Sequence, residues 1–319
     1  MTQVPPASSV THDHLLAVLA TESAALAPGS TFRVLDVGCG DGKLLAFLAR
    51  GFPLLRPEVQ LELYGFDVAE PGVQRGGFLS RAVAELQSEI PAVDWSGRLT
   101  AIAADDRWPY PDGFFSAVIS NQVLEHVANH EHFFAELYRT LAWTGISVHL
   151  FPLIHYVYEG HLHLPLVHRI ADHDVRRRYI AWLSAVGLGK FARQHRASGI
   201  SREAFAERHA DYLQHYTNYL SARQVLQLGK RHGLRASFRY TSQFYSRKLA
   251  GLLFGRRRFH YRRSGAVWAW ATALVLRYVS SVTLFLEKKE IYRHAGAGTN
   301  ATAERAQSAP AAAECSPSL

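Results

Sequence analysis

The stretch Val34–Lys43, VLDVGCGDGK, decides the fold. A mostly apolar run, Phe32 to Val37, ends in three alternating glycines, and a helical pattern begins directly after them. This order predicts a strand, a tight turn and a helix. Glycine permits a positive φ, and its missing Cβ lets a ligand approach the backbone. Because the helix N-terminus adds unpaired N–H groups, the turn is a predicted ligand site.

The spacing of the glycines argues against two kinds of nucleotide site. A dinucleotide site has G-x-G-x-x-G, whereas Gly38, Gly40 and Gly42 follow G-x-G-x-G. A phosphate loop has a hydroxyl residue after Gly-Lys, and Leu44 stands there. The turn therefore suits a ligand without a pyrophosphate group, and a nicotinamide-dependent oxidoreductase is the weaker alternative.

The composition of the chain is that of a globular protein. It has 319 residues, of which 48% are hydrophobic and 19% charged. Two cysteines, Cys39 and Cys315, cannot form a disulfide framework, and residues 1–30 show no secretory signal, so we expect a cytoplasmic protein. The net charge of +8 admits acidic substrates, anionic membranes or nucleic acid. No nucleic-acid motif is recognisable, and no such partner is expected.

Acidic residues follow two further predicted strands. The strand Gln60–Phe66 ends at Asp67, and the strand Arg98–Ala103 is followed by Asp105 and Asp106. In a doubly wound sheet, ligands bind at the carboxyl ends of the strands. A carboxylate there can accept both hydroxyls of a ribose, although Asp67 could instead cap the next helix.

Several motifs together resemble one enzyme family. Asp36 stands two residues before Gly38, and Trp108–Val127 reads WPYPDGFFSAVISNQVLEHV. This pattern resembles the class I S-adenosylmethionine-dependent methyltransferases, in particular their type 11 branch, over residues 31–152 and again over 221–241. The resemblance implies an α/β fold, a Rossmann-like doubly wound sheet of seven strands whose last strand is antiparallel, with a helical lid insertion after strand five.

The resemblance also implies S-adenosylmethionine as cofactor. The glycine turn would hold its amino-acid end, Asp67 the ribose and Asp105 the adenine amino group, with Asp106 as the alternative. Trp108 or Tyr110 would flank the adenine ring. The cofactor-binding residues expected on this basis are Asp36, Gly38, Cys39, Gly40, Gly42, Asp67, Val68, Asp105, Asp106 and Asn121.

Five segments follow from this interpretation. Residues 1–30 hold an N-terminal helix after a loose start, and 31–153 form the cofactor-binding core. Residues 154–220 form the lid that would bind the acceptor. The rest of the core, with a C-terminal helix and the last strand, occupies 221–291, and the Ala/Ser/Pro-rich tail 292–319 is expected to be disordered.

The candidates for a catalytic base are histidines and one carboxylate. The insertion contains His155, Glu159 and His161, and His126 follows strand four. Histidine titrates near neutrality and suits general-base catalysis. The sequence leaves all four residues open, and the histidine of Leu-Glu-His could also be architectural.

A metal site in the insertion is the alternative to a base. His161 and His163 would lie on one face of a strand, with Asp172 and Asp174 nearby. A solvated basic lid surface explains the same residues without a ligand, and we expect no metal.

The C-terminal region has two interpretations. Residues 265–286 are long enough to span a membrane, but Arg277 would cost about 2.5–3.5 kcal/mol there. The resemblance also requires a last strand, so we predict a helix at Val267–Val279 and a strand at Val282–Leu286. The Trp-rich helix beside five arginines could still contact an anionic membrane, on its inner surface, through residues 255–280.

The expected function is methyl transfer to an acceptor whose identity the sequence leaves open. O-methylation of a small metabolite, a glycan or a lipid-linked intermediate is favoured. A non-catalytic binding protein with the same fold is the main rival. The oligomeric state is left open.

Overall fold

A seven-stranded sheet forms the centre of the molecule in the computed structural model, which describes residues 4–7, 9–69, 77–254, 259–261 and 265–288. Its strands, in chain order, are β1 (Thr31–Val37), β2 (Gln60–Val68), β3 (Leu99–Ile102), β4 (Phe115–Asn121), β5 (Leu141–Pro152), β8 (Leu234–Ser237) and β9 (Ser281–Lys288). They are arranged in the order β3-β2-β1-β4-β5-β9-β8, and β9 runs antiparallel to both of its neighbours. This confirms the predicted doubly wound sheet with an antiparallel last strand.

Helices cover both faces of this sheet. Those outside the insertion are α1 (Val10–Glu22), α2 (Lys43–Leu55), α3 (Phe78–Glu89), α4 (His130–Thr140), α8 (Ala222–Arg231), α9 (Thr241–Phe254) and α10 (Ala266–Leu276). Val34 of β1 belongs to a buried cluster with residues of α1 and α2. Its neighbour Leu35 belongs to a second cluster, with residues of α4 and α8. The strand is therefore apolar on both sides because helices pack on both sides.

The insertion between β5 and α8 has its own small core. It contains a hairpin of β6 (Tyr158–Glu159) and β7 (Leu164–Pro165), followed by α5 (His173–Ala185), α6 (Phe191–Ser198) and α7 (Arg202–His215). Leu164, Ile180 and Phe205 meet in its hydrophobic cluster. The side chain of Arg176 on α5 donates to the carbonyl oxygen of Ala210 on α7, which ties the two helices together.

Some boundaries differ from the sequence-based expectation. The apolar positions after residue 14 predict a first helix over Asp13–Ala27. Helix α1 instead begins at Val10, three residues earlier, because the Ser9 hydroxyl accepts from the N–H of Thr11 and caps it. Helix α9 was not predicted, because an arginine on its inward side interrupts the apolar pattern. Nη2 of this residue, Arg247, lies 3.1 Å from Oδ2 of Asp13 on α1. The apolar pattern also predicts a helix over Val73–Ile90, and the start of that helix lies outside the described residues, as does the predicted tail at 292–319.

The C-terminal region forms a helix followed by a strand, as predicted, and not one long apolar segment. Helix α10 has 11 residues, and β9 pairs between β5 and β8. Within the described part of the chain, no helix is both long and apolar enough to cross a membrane.

Candidate functional site

The glycine turn between β1 and α2 has a backbone that only glycine adopts readily. Gly38, Gly40 and Gly42 have φ of +71°, +52° and +77°. A Cβ on Gly38 would lie 2.5 Å from a methyl carbon of Val123, which a real side chain does not tolerate. The N–H of Gly38 donates to the carbonyl of Phe66 over 2.8 Å, so the turn is held against the end of β2.

Asp67 closes this turn from the adjacent strand. Its Oδ2 accepts from the N–H of Gly40, and its Oδ1 from the N–H of Val68, each over 2.7 Å. Helix α3 has Gly77 as its N-terminal cap residue, so Asp67 does not serve as that cap. The carboxylate therefore lies at the carboxyl edge of the sheet, beside the glycine turn, where a ribose was expected.

Asp36 and Cys39 are buried at the same edge. Burial, followed by the charge of Asp67, raises the pKa of Asp36 well above its usual range. A cationic group at this edge would offset that effect. Cys39 packs its side chain against Gly65 of β2, where a Cβ would lie 2.9 Å from that of Cys39. Cys39 thus contributes its backbone to the turn, while its thiol belongs to the core.

The two aspartates after β3 differ in their contacts. Asp106 accepts from the N–H of Ala103 over 2.8 Å and closes its own turn. Asp105 accepts from the side chain of Asn129 over 3.2 Å and is exposed. Asp105 is consequently the better placed of the two to accept from a ligand.

Of the two aromatic residues expected beside an adenine ring, Trp108 belongs to the protein interior and Tyr110 is half-buried. Trp108 is 3% exposed, and its ring lies 4.9 Å from Phe66 and 5.4 Å from Phe133. Tyr110 donates its hydroxyl to the carbonyl of Gly65 over 3.2 Å. The sequence pattern gave no sign of this, because burial of these rings depends on helix α4 and strand β2.

The end of β4 carries two buried polar atoms that lack a hydrogen-bond partner among the described residues. They are Oδ1 of Asn121 and Oε2 of Glu125. Burial, opposed by a backbone hydrogen bond and reinforced by the charge of Glu159, raises the pKa of Glu125 to about 8. Gln122 between them has φ +60° and donates its side chain to Leu150 and Ser281. Strained backbone and unpartnered polar atoms of this kind are concentrated at functional sites.

The hairpin of the insertion brings Glu159 and His161 together. Nδ1 of His161 lies 2.6 Å from Oε1 of Glu159, and the N–H of Leu162 donates to Oε2 over 2.6 Å. The hydroxyls of Tyr156 and Tyr219 donate to Oε1, each over 3.1 Å. Burial alone would raise the pKa of Glu159. The hydrogen bond and the charge of the His161 side chain, together with the backbone N–H groups of His161 and Leu162, outweigh burial and lower the pKa to about 2. Glu159 is therefore a charged carboxylate that orients the imidazole.

His126 lies beside this pair. Its ring centre is 5.1 Å from that of His161, and its Nδ1–H donates to the carbonyl of Tyr216 over 2.7 Å. Burial lowers the pKa of His126, which keeps the ring neutral near pH 7. The ring of Tyr212 lies 5.3 Å from His161 and stacks on Tyr216.

A cleft on α7 adjoins these rings. Its volume is about 530 Å³, and its lining residues are Ala204, Glu207, Arg208, Asp211, Tyr212 and Tyr216. Tyr212 is shared by the two features, since its ring lines the cleft and also lies 5.3 Å from that of His161.

His155 is separated from the other three candidates. Its ring lies 6.1 Å from Tyr278, at the end of α10, and burial followed by the charges of Arg277 and Arg169 lowers its pKa. The structure thus brings together His126, Glu159 and His161 of the four candidates.

The predicted metal alternative does not assemble. His161 pairs with Glu159, whereas His163 is exposed, with its ring 5.9 Å from Tyr158. Among the described residues, one group, His173, Glu207 and Asp211, has ligand atoms within 4.8 Å of one another. It lies on the surface, where His173 already pairs with Asp211.

Sequence reasoning missed Tyr219, and it placed Glu125 at the end of strand four without giving it a role. Tyr219 follows Glu159 by sixty positions, so no local spacing connects them. Glu125 stood in the Leu-Glu-His motif, but only its complete enclosure distinguishes it from a surface acid.

Comparisons with known proteins agree with this geometry. A family model described as a methyltransferase domain matches residues 12–236. No curated protein matches the chain. Similar solved structures include a geranyl diphosphate methyltransferase in complex with S-adenosylmethionine (14% identity, 87% of this chain and 85% of that one, TM-score 0.45). The YcgJ protein of Bacillus subtilis (16%, 87% and 99%, TM-score 0.43) and the [4+2]-cyclase SpnF (18%, 90% and 85%, TM-score 0.45) are also similar. These TM-scores are low, so the family model carries the assignment.

Proposed function

Because the chain belongs to the family of methyltransferase domains, we propose that it methylates a hydroxyl of an acceptor with S-adenosylmethionine as the donor. The observation that carries the proposal is the position of the Glu159–His161 pair, whose imidazole lies 5.1 Å from the ring of His126 in the loop after β4. A charged carboxylate bound to Nδ1 leaves Nε2 of the imidazole as the free acceptor of a proton.

The residues at the carboxyl edge of the sheet fit the cofactor. Gly40 leaves room for a ligand against the backbone, since the nearest described atom to a Cβ there is Oδ2 of Asp67, at 3.9 Å. Asp67 in turn offers carboxylate oxygens to ribose hydroxyls. The buried Asp36 and the unpartnered Oδ1 of Asn121 favour a positively charged donor group such as the ammonium of the cofactor. Asp105 would accept from the adenine amino group. S-adenosylmethionine, when bound, supplies a methyl group on a sulfonium and leaves as S-adenosylhomocysteine.

The protein's part in the chemistry is orientation and proton removal. As the new bond forms between the acceptor oxygen and the methyl carbon, the hydroxyl proton passes to Nε2 of His161. Glu159 holds the ring and stabilises the imidazolium that results. Alignment of donor and acceptor would supply most of the rate enhancement. The neutral ring of His126 would form part of the wall of the acceptor site.

The cleft on α7 supports our choice of acceptor class. Stacked tyrosines and carboxylates suit a polyhydroxylated molecule, since aromatic rings cover its C–H faces and carboxylates accept from its hydroxyls. A glycan or a lipid-linked glycan intermediate is the acceptor that we propose, and a small hydroxylated metabolite is the alternative.

The test is transfer of a tritium-labelled methyl group from S-adenosylmethionine to glycan and lipid extracts. With an acceptor found, His161→Ala should lower turnover by about 10²–10⁴-fold, the usual contribution of a general base. His163→Asn is the matched control, because His163 is exposed on the same hairpin with φ +58°, which asparagine tolerates. Equal turnover of the His161 variant and the wild type would contradict the assignment of the base.

A further inference from the structure

The exposed face of α9 and α10 is unusually apolar for a protein surface. Among the side chains of α10 that the structure describes, only Ala269 and Ala273 are buried. The exposed large apolar residues of the two helices include Leu249, Leu253, Val267, Trp268, Trp270 and Val275, each more than half exposed. We call these six residues the apolar surface. The two helices contact each other, and exposed apolar side chains grouped in this way mark an interaction site.

The sequence that links the two helices is positively charged. The sequence places five arginines between α9 and α10, at Arg256–Arg258 and Arg262–Arg263. Lys248 is exposed next to Leu249 on α9. Exposed apolar and aromatic side chains, with arginine and lysine clustered in the adjoining sequence, are the features of elements that lie in the interface of an anionic bilayer.

The apolar surface continues towards the insertion. The carbonyl of Tyr278, just after α10, accepts from the N–H of Val157 over 3.0 Å. Val157 and Tyr158 are 43% and 51% exposed, and Glu159 comes next in the chain. The hairpin that carries Glu159 and His161 therefore begins at the edge of the apolar surface.

From these contacts we propose that the apolar surface docks on an anionic membrane, with Trp268 and Trp270 at the level of the lipid headgroups. No membrane-spanning segment is needed, since the helices lie along the surface. If the proposed methyl transfer is correct, docking brings the Glu159–His161 hairpin towards an acceptor anchored in the same bilayer. This last step rests on the proposed function, whereas the docking itself does not.

The experiment is sedimentation of the full chain with vesicles. Phosphatidylcholine vesicles that contain phosphatidylglycerol should bind the chain at least about tenfold more tightly than phosphatidylcholine alone, and added salt should weaken this binding. The double variant Trp268→Ser, Trp270→Ser should lose at least about tenfold in vesicle affinity. Trp182→Ser is the matched control, because Trp182 is 61% exposed on α5, outside the apolar surface.

Two results would overturn the proposal. One is equal vesicle binding by the wild type, the double variant and the Trp182 control. The other is a wild-type chain that is dimeric by light scattering and a double variant that is monomeric, because a second copy would then cover the apolar surface. Neither measurement uses the cofactor, so failure here leaves the proposed methyl transfer untouched. Circular dichroism of each variant verifies its fold.

Discussion

Nδ1 of His161 lies 2.6 Å from Oε1 of Glu159, whose side chain is completely buried. The partners of this carboxylate come from the hairpin itself and from Tyr219, at the end of the insertion. A buried charge that accepts four hydrogen bonds is held rigidly, because each lost bond leaves an unsatisfied group.

Replacement of Glu159 should reduce turnover without affecting the donor site. In Glu159→Gln the imidazole loses its charged partner, and turnover should fall by roughly 10²-fold or more. The affinity for S-adenosylmethionine, measured by calorimetry, should stay within about twofold, since Glu159 is not among the proposed cofactor ligands. Tyr219→Phe is the comparison, because it removes one donor to Oε1 and keeps the carboxylate. A Gln variant as active as the Phe variant would speak against the role of the charge.

Replacement of Asp67 should weaken donor binding. Asp67→Ala removes the proposed ribose acceptor and the contact to Gly40, and the dissociation constant should rise at least about tenfold, on the order of one charge-assisted hydrogen bond. Asp41→Ala serves as control, since Asp41 is exposed in the same turn and pairs with Lys43. Unchanged affinity in a folded Asp67 variant would refute the ribose assignment.

The close approach at Gly38 predicts an unequal effect of two glycine substitutions. Gly38 and Gly113 both have positive φ, at +71° and +65°. A Cβ on Gly113 meets nothing within 4 Å, whereas one on Gly38 meets the stiff side chain of Val123. Gly113→Ala should cost about 1–2 kcal/mol of unfolding free energy, and Gly38→Ala about 1–3 kcal/mol more. Chemical denaturation measures both, and equal costs would show that the approach to Val123 is unimportant.

Glu125 should make stability depend on pH. The folded chain raises the pKa of this carboxyl from 4.5 to about 8, so the native state binds the proton more tightly than the unfolded state. The proton bound to Glu125 therefore contributes fully to the free energy of unfolding below pH 4.5, and this contribution declines as the pH rises towards 8. Glu125→Gln imitates the neutral acid and should gain at least about 3 °C in Tm relative to wild type between pH 5 and pH 8, roughly the effect of 1 kcal/mol. A Tm difference that is constant with pH would contradict the raised pKa.

Much of the cofactor region could be predicted from the sequence, because its determinants are local. The glycine turn and the acid after β2 are encoded within a few residues of a strand end, and the fold places the ends of adjacent strands at one edge. Helix α6 and helix α9 escaped prediction, since α6 has no buried residue and α9 turns a paired arginine inward. The choice among the four base candidates depended on contacts across the insertion. Only the folded chain shows that His155 approaches Tyr278 while His161 approaches His126.

The most direct test of the central claim is calorimetric titration of the full chain with S-adenosylmethionine and, separately, with S-adenosylhomocysteine. The account predicts that both bind with micromolar affinity and that Asp67→Ala weakens both. Folded wild-type protein that binds neither compound would contradict it, and would favour a scaffold that has kept the fold without the cofactor.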